Sequence, residues 1–389
     1  MSETKKIQNP EDMPFEAAIA RLEVIVKAME GDSLSLDESL ALYEEGGFPD
    51  PPSQPGAGRG RAAGTDPAAH RRWGDQACSL HVYRGLSGMD AMNYEALAGE
   101  ILSEDAAAVE ALLDRLYRGG GRCDAVLDEA CRYSLMAGGK RVRPALTLEF
   151  CRLFGGDPQN ALPFAAAVEM IHTFSLIHDD LPCMDDDDLR RGRPTNHKVY
   201  GEAYALLAGD GMALDAFDMV ASNEAVSPEA RVTAVSLLSR AAGCGGMVRG
   251  QIVDMFGEQN TLTYEELLFL HANKTGALIR VAAQLGVLAA GYDLGSPEMK
   301  AAEGYAERIG LAFQVIDDIL DVTSTPEAMG KSVGGDETHH KNTFLSFADL
   351  SEARAFASRL TEEAVGLVAC YEAAERLVAL ARYLAVRKA

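Results

Sequence analysis

From residue 90 onward, apolar residues recur at helical spacing, and no stretch alternates with the two-residue rhythm of a strand. ALPFAAAVEMIHTFSLIH, YEELLFLHANKTGALIRVAAQLGVLAA and YAERIGLAFQVIDDILD are long and apolar on most faces, as helices inside a large bundle are. Gly and Pro clusters separate such stretches, and Ala, Leu, Glu and Arg fill them. The pattern predicts an all-α domain over 90–389, a large helical bundle. Residues 1–46 carry a shorter pattern. Phe15, Ile19, Leu22, Val26 and Met29 share a helical face behind Pro14, Gly31-Asp32 breaks it, and LSLDESLALYEEG restarts it with Ser35 or Asp37 as a cap. A short helical hairpin is expected there, too small to be stable without a partner. Between the two, periodicity fails: residues 47–89 are rich in Pro, Gly, Ala and Arg, the composition of a disordered linker.

Composition changes this picture in a few places. A net charge of −23 over 389 residues argues against a nucleic-acid-binding surface spread over the main domain. The linker differs, with 5 basic against 3 acidic side chains, whereas residues 1–46 have 4 against 11. Five dispersed arginines make a thin footprint for nucleic acid. The seven cysteines are odd in number and form no CxxC pair, which reads as free thiols in a reducing cytosol, hence a cytoplasmic protein. MSETKKIQNPEDM has no apolar signal core, and no run of about 18 uncharged apolar residues predicts a transmembrane segment.

Two acidic motifs carry the candidate chemistry. In Asp317-Asp318-Ile319-Leu320-Asp321, helical spacing puts Asp317 and Asp321 on one face, between apolar neighbours that point to burial. Buried carboxylates at that spacing repel unless a cation or strong donors compensate. In Asp179-Asp180-Leu-Pro-Cys-Met-Asp185, ideal helical geometry does not place Asp179 and Asp185 on one face, and Pro182 ends or kinks the helix. Oxygen-rich clusters suit hard cations such as Mg²⁺. An EF-hand fails because Arg190 stands where its loop needs glycine, and zinc lacks His/Cys spacing. Basic side chains suited to phosphate lie near: Lys140, Arg141 and Arg143 in GGKRVRP, Arg190 and Arg191 after the first cluster, then Lys274 and Lys331. GGKRVR lacks P-loop spacing.

GGKRVRP, IHTFSLIHDDLPCMDDDDLRRGRPTNH, KTGALIR and GLAFQVIDDILD together resemble the short-chain trans-prenyl diphosphate synthases, in particular bacterial farnesyl diphosphate synthases, over roughly 92–389. The resemblance implies an isoprenoid-synthase bundle, a homodimer and three Mg²⁺ ions. It implies that an allylic diphosphate, dimethylallyl or geranyl, ionises and is attacked by the alkene of isopentenyl diphosphate. By the same resemblance, Asp179, Asp185 and Asp317 are metal ligands, with Asp180, Asp318 and Asp321 nearby. Arg190, Lys274 and Lys331 hold the allylic diphosphate, and Lys140, Arg143, His172 and Arg191 hold isopentenyl diphosphate. Thr275 and Gln314 place oxygens near the allylic cation, and Lys341 contributes to the closed site. Phe174, five residues before Asp179, floors the product pocket, which with the long DDxxxxD spacing favours farnesyl over geranylgeranyl diphosphate. One departure stands out: Arg249-Gly250-Gln251 replaces the family's usual Gly-Gly-Gln and puts local helix packing in doubt, while Gln251 and Asp254 keep supporting roles. Asp186, Asp187 and Asp188 get no role from the motif, and some are expected to be merely solvated.

Residues 13–46 resemble a different family, the small subunit of bacterial exodeoxyribonuclease VII, truncated at Gly46. A nuclease accessory role through this segment is the remote alternative function. The bias of residues 47–89 is what a GC-rich strand yields when read in the wrong frame. The expectation is an out-of-frame or read-through join, with Met89 or Met92 as the native start of the synthase, which resequencing the locus checks.

Overall fold

The computed structural model describes residues 91–119, 121, 123–323 and 342–386. The hairpin and linker expected over 1–89, and with them Lys331 and Lys341, lie outside the described residues. The described residues all fall in the unit spanning Gly74–Ala389.

In chain order the helices are α1 (Ala91–Leu113), α2 (Ala125–Leu135), α3 (Val142–Leu153), α4 (Pro158–Asp179), α5 (Asn196–Tyr200), α6 (Glu202–Ala221), α7 (Pro228–Ala242), α8 (Met247–Gln259), α9 (Tyr264–His271), α10 (Ala277–Ala289), α11 (Pro297–Thr323), α12 (Leu350–Val368) and α13 (Glu375–Val386). The all-α expectation holds with one small addition. Two-residue strands β1 (Leu189–Arg190) and β2 (Arg193–Pro194) pair antiparallel after α4. They are too short for an alternating pattern to announce them.

Helix starts follow local chemistry. Asp157 caps α4 by accepting from Gln159 N at 2.9 Å, with Pro158 at the first position, where its missing N–H costs nothing. Ser227 does the same for α7 ahead of Pro228. Capping boxes open α9 (Thr263 with Glu266) and α12 (Asp349 with Glu352), each satisfying two orphan donors.

The apolar faces build two cores. The larger joins α1 through α7 with Met247 of α8, α10, the first half of α11, the end of α12 and α13, around fully buried Phe150, Phe164, Met170 and Tyr305. The smaller joins α9, the second half of α11 and the first part of α12 through Leu267, Leu270, Val315, Ile319, Phe344 and Ala357. Each large apolar side chain so buried stabilises by roughly 1.5–3 kcal/mol. Among the described residues α4 alone is long and apolar enough to cross a membrane, but most of its apolar window is buried in the larger core.

A buried cation ties the helices around one loop. Arg141, in a left-handed conformation (φ 47°), donates to Glu110 of α1 at 3.1 Å, Glu169 of α4 at 2.5 Å and the Leu135 carbonyl at 2.7 Å. Its side chain is fully buried. Removing one partner from such a pair typically costs about 3–5 kcal/mol because the other charge is left uncompensated. Arg141 thus fixes the backbone carrying Lys140 and Arg143 between three helices.

Candidate active site

Both acidic motifs and most of the cations meet where α3, α4, α8, α10 and α11 converge. Helix α4 ends at Asp179, three residues before Pro182. The chain then folds back so that Asp185 N donates to the Asp179 carbonyl at 2.9 Å. This reversal brings together two aspartates that straight helical periodicity would have separated.

Burial governs the charge state of both. Burial pushes the Asp179 carboxyl up to about 6; Lys274 and Arg190 pull it down, and Asp185 and Asp180 add to the rise. Asp185 is raised for the same leading reason, burial, with Lys274 opposing and Asp187 and Asp254 reinforcing. Burial also raises Asp180, but Arg190 counters it. Arg190 Nε donates to Asp180 at 2.9 Å, and its Nη2 donates to Asp180 again and to Asp187 at 3.1 Å.

Arg190 and Arg191 diverge because they sit at a corner. Arg191 (φ 55°) and Gly192 (φ 74°) are the two central residues of the β1–β2 connection, and both have positive φ, as a type I′ turn requires. The hairpin is anchored from outside. Tyr133 donates to the Pro194 carbonyl at 2.8 Å, Thr195 Oγ1 to the Asp187 carbonyl at 2.8 Å, and Asn196 Nδ2 to the Ala130 carbonyl at 2.8 Å. The three aspartates without a motif role differ in their surroundings. Asp187 meets Arg190, while Lys198 lies 2.6 Å from Asp188 and 3.8 Å from Asp186. Asp186 and Asp188 stay well exposed, so these pairs tether the loop weakly.

Arg191 turns instead into a cavity of about 450 Å³ that Lys140, Arg143, Glu169, His172, Ile279 and Phe313 also line. All four residues expected to hold isopentenyl diphosphate are therefore brought together. Arg143 is depressed by burial, only partly relieved by Glu169 and Asp317, and its Nε is buried without a hydrogen-bond partner. A buried guanidinium donor of this kind suits an anion's oxygen. His172 is lowered well below its ordinary value, by burial first and then by Arg143, Arg191, Arg141 and Arg190. It faces the cavity as a neutral imidazole, a hydrogen-bonding group and not a fourth cation.

On the other side, Lys274 and Thr275 project from Ala272–Gly276, a π-helical turn inserted between α9 and α10. Such single insertions recur at functional sites. Lys274 pairs with Asp254 of α8. Burial opposes the Lys274 charge, but Asp254, Asp179 and Asp185 outweigh it and raise its pKa. Thr275 Oγ1 donates to Gln314 Oε1 at 2.5 Å, and Gln314 Nε2 donates to Asp317 Oδ2 at 3.3 Å, which orients the second motif's first carboxylate. Asp317 and Phe313 lie one turn apart on α11, so this helix borders both the cavity and the acidic side.

Asp317, Asp318 and Asp321 have three different surroundings. Asp318 is buried and accepts the backbone N–H of Phe344 at 2.6 Å, with His271 Nε2 3.6 Å away, so it anchors the chain entering α12. Asp321 is exposed. The Arg-Gly-Gln departure is also resolved. A Cβ on Gly250 would stand 2.6 Å from Lys274 Cα and 2.8 Å from Asn273 C, so this glycine lets α8 touch the π turn. Arg249 points outward, its Nε donating to the Cys244 carbonyl at 2.6 Å. The packing thus rests on Gly250, and Arg249 leaves it undisturbed. Sequence reasoning missed Arg141 as the loop's anchor and Glu169 as a wall of the cavity.

Among the described residues no three His, Cys, Asp or Glu side chains converge closely enough to hold an ion by themselves. The donor set still fits Mg²⁺. It is all carboxylate oxygen, burial and the neighbouring Asp185 and Asp180 push Asp179 up to about 6, where a cation would be welcome, and Mg²⁺ usually completes its shell with water and substrate phosphates.

Comparison with known proteins decides the lineage. The polyprenyl synthetase family model matches residues 124–378. The chain belongs to the polyprenyl synthetase family. It is 47% identical to the farnesyl diphosphate synthase of Geobacillus stearothermophilus over 262 residues, covering 66% of this chain and 87% of that one. It is also 47% identical to the chloroplastic heterodimeric geranylgeranyl pyrophosphate synthase large subunit 1 of Arabidopsis thaliana over 270 residues, covering 67% and 72%. Among solved structures, an FPP/GFPP synthase from Zymomonas mobilis superposes with a TM-score of 0.66 at 33% identity, covering 76% of this chain and 100% of that one. A geranyltransferase from Helicobacter pylori complexed with magnesium and isoprenyl diphosphate gives 0.64 at 32%, covering 72% and 95%. The polyprenyl synthetase domain is a prenyltransferase. A second model, the exonuclease VII small subunit, matches residues 15–47, in line with the resemblance noted there.

Proposed function

We propose that this polyprenyl synthetase condenses isopentenyl diphosphate with dimethylallyl or geranyl diphosphate and stops at farnesyl diphosphate. The observation that carries the reading is the meeting of an anion-ready cavity with an acidic, lysine-edged cleft along one helix, α11. Lys140, Arg143 and Arg191 bind the isopentenyl diphosphate, and neutral His172 donates a hydrogen bond to it. Arg190 and Lys274 hold the allylic diphosphate, joined by Lys331. Asp179, Asp185 and Asp317 would hold Mg²⁺, which when bound supplies positive charge to the departing diphosphate. Lys274 adds a fixed positive charge as the anion develops. Oxygens of Thr275 and Gln314 face the allylic cation, the isopentenyl double bond attacks it, and one proton leaves the adduct. Asp180 serves indirectly by fixing Arg190.

Both farnesyl and geranylgeranyl synthases are found among relatives of equal identity, so identity does not choose the product. Phe174 supports the shorter one: it lies on α4 below Asp179, half-buried against the larger core. Phe174→Ala should shift products from fifteen toward twenty carbons or more; an unaltered chain-length profile removes its floor role. The homodimer implied by resemblance has an apolar face available on α6, where Tyr204, Leu206, Leu207 and Leu214 are exposed. The deciding experiment is incubation of the purified chain with isopentenyl and dimethylallyl diphosphates, with and without Mg²⁺, followed by product sizing. No condensation in the presence of Mg²⁺ would refute the reading.

A further inference from the structure

Phe174 does not stand alone. One turn above it on the same face of α4, the ring of His178 meets it edge-to-face, with centroids 5.6 Å apart and planes at 79°. His178 has no part in the diphosphate or metal assignments, yet it is held from several sides. Its Nε2 lies 3.0 Å from the Leu206 carbonyl on α6, and a carbonyl only accepts, so Nε2 carries the proton. Asp210 Oδ1 lies 3.8 Å from the same nitrogen. The ring fills a notch in α6: a Cβ at Gly209 would stand 2.5 Å from its Cδ2. Helix α6 therefore grips His178 through a glycine notch and one hydrogen bond, and His178 presents its ring to Phe174.

We propose that His178 is a positioning residue for product length. Seated in the Gly209 notch, it fixes the Phe174 ring in the orientation that ends the pocket for the growing isoprenoid tail. The inference rests on the reading of Phe174 as the floor. Without the His178 ring, the side of Phe174 facing α6 is open and the aromatic ring gains other rotamers. Some of these deepen the pocket, so longer products escape the fifteen-carbon limit. The hydrogen bond to Leu206 serves to aim the imidazole, and the aromatic contact does the limiting.

Two substitutions separate these parts. His178→Gln keeps an N–H donor for the Leu206 carbonyl and loses the ring; His178→Phe keeps a ring and loses the donor. The full-length chain carrying each, together with Phe174→Ala and the Phe174→Ala/His178→Gln double variant, is incubated with Mg²⁺, isopentenyl diphosphate and geranyl diphosphate, and products are sized by chromatography. Expected is a severalfold rise in the share of products beyond fifteen carbons for His178→Gln and a near-native profile for His178→Phe. The double variant should match Phe174→Ala alone. A purely structural role would lower yield or melting temperature without moving this ratio. If Phe174→Ala lengthens products and His178→Gln does not, the inference fails while the floor reading stands. The inference also fails if His178→Phe lengthens products as His178→Gln does, or if His178→Gln adds further length in the Phe174→Ala background. If Phe174→Ala leaves product length unchanged, the floor reading fails and takes the inference with it.

Discussion

Replacing Asp179 or Asp317 with alanine should lower turnover on the order of a hundred- to a thousandfold, the scale at which a group stabilising developing charge is usually felt. The helical fold should persist. Asp179 ends α4 with a carboxyl already pushed up to about 6 by burial, so its ionised form is a cost to the folded chain. Alanine removes that cost and suits a helix end that opposes negative charge. A melting temperature equal to or above that of the wild type is therefore the expected companion of lost activity. At position 317, alanine removes the acceptor of Gln314 Nε2, while Thr275 still holds Gln314 through its oxygen. Steady-state assays at saturating substrates with a Mg²⁺ titration, read beside a thermal melt, test both variants. Wild-type turnover in either one would sink its assignment as a metal ligand.

Gly250→Ala should be nearly as damaging, although residue 250 carries no side chain to react. The added methyl would overlap Lys274 Cα and Asn273 C, which are backbone and cannot swing aside. Either α8 or the π turn must move, and Lys274 and Thr275 move with the turn. Misplacing positioned groups by about 1 Å can cost on the order of a hundredfold in rate. Arg249→Gly, which restores the family's usual Gly-Gly-Gln, is the control. Arg249 is exposed and its Nε bonds the nearby Cys244 carbonyl, so turnover should stay within about twofold of wild type. Comparable kcat/KM for allylic diphosphate in wild type and Gly250→Ala would show that the close approach is not needed.

Helical periodicity and the ordered motifs made the bundle and most of the candidate site readable in advance, because both express neighbours along a single element. Lys140, Arg143, His172 and Arg191 could be grouped by resemblance, and they do share one cavity. What escaped depends on partners far apart in sequence. Arg141 reads as a third phosphate-binding cation until Glu110 and Glu169 are seen around it. Asp318 looks like Asp317 until Phe344 N is found against its carboxylate. The loop aspartates look redundant until Lys198 folds back on them. LHANKTGALIR reads as uninterrupted helix because an extra residue leaves no mark on composition.

That extra residue has a wider consequence. An α-helix advances about 100° per residue, so a one-residue insertion rotates everything after it by roughly that angle. Before the π turn, Leu267 and Leu270 of α9 face the smaller core; after it, α10 is sunk in the larger one on nearly every side. Helix α11 makes the same passage between Ile309 and Ala312. Lys274, Thr275, Gln314 and Asp317 all stand at or just past these crossings. The π turn works as a phase shifter that lets one rod change allegiance between two packed bodies, and the reactive side chains occupy the node where the phase is reset.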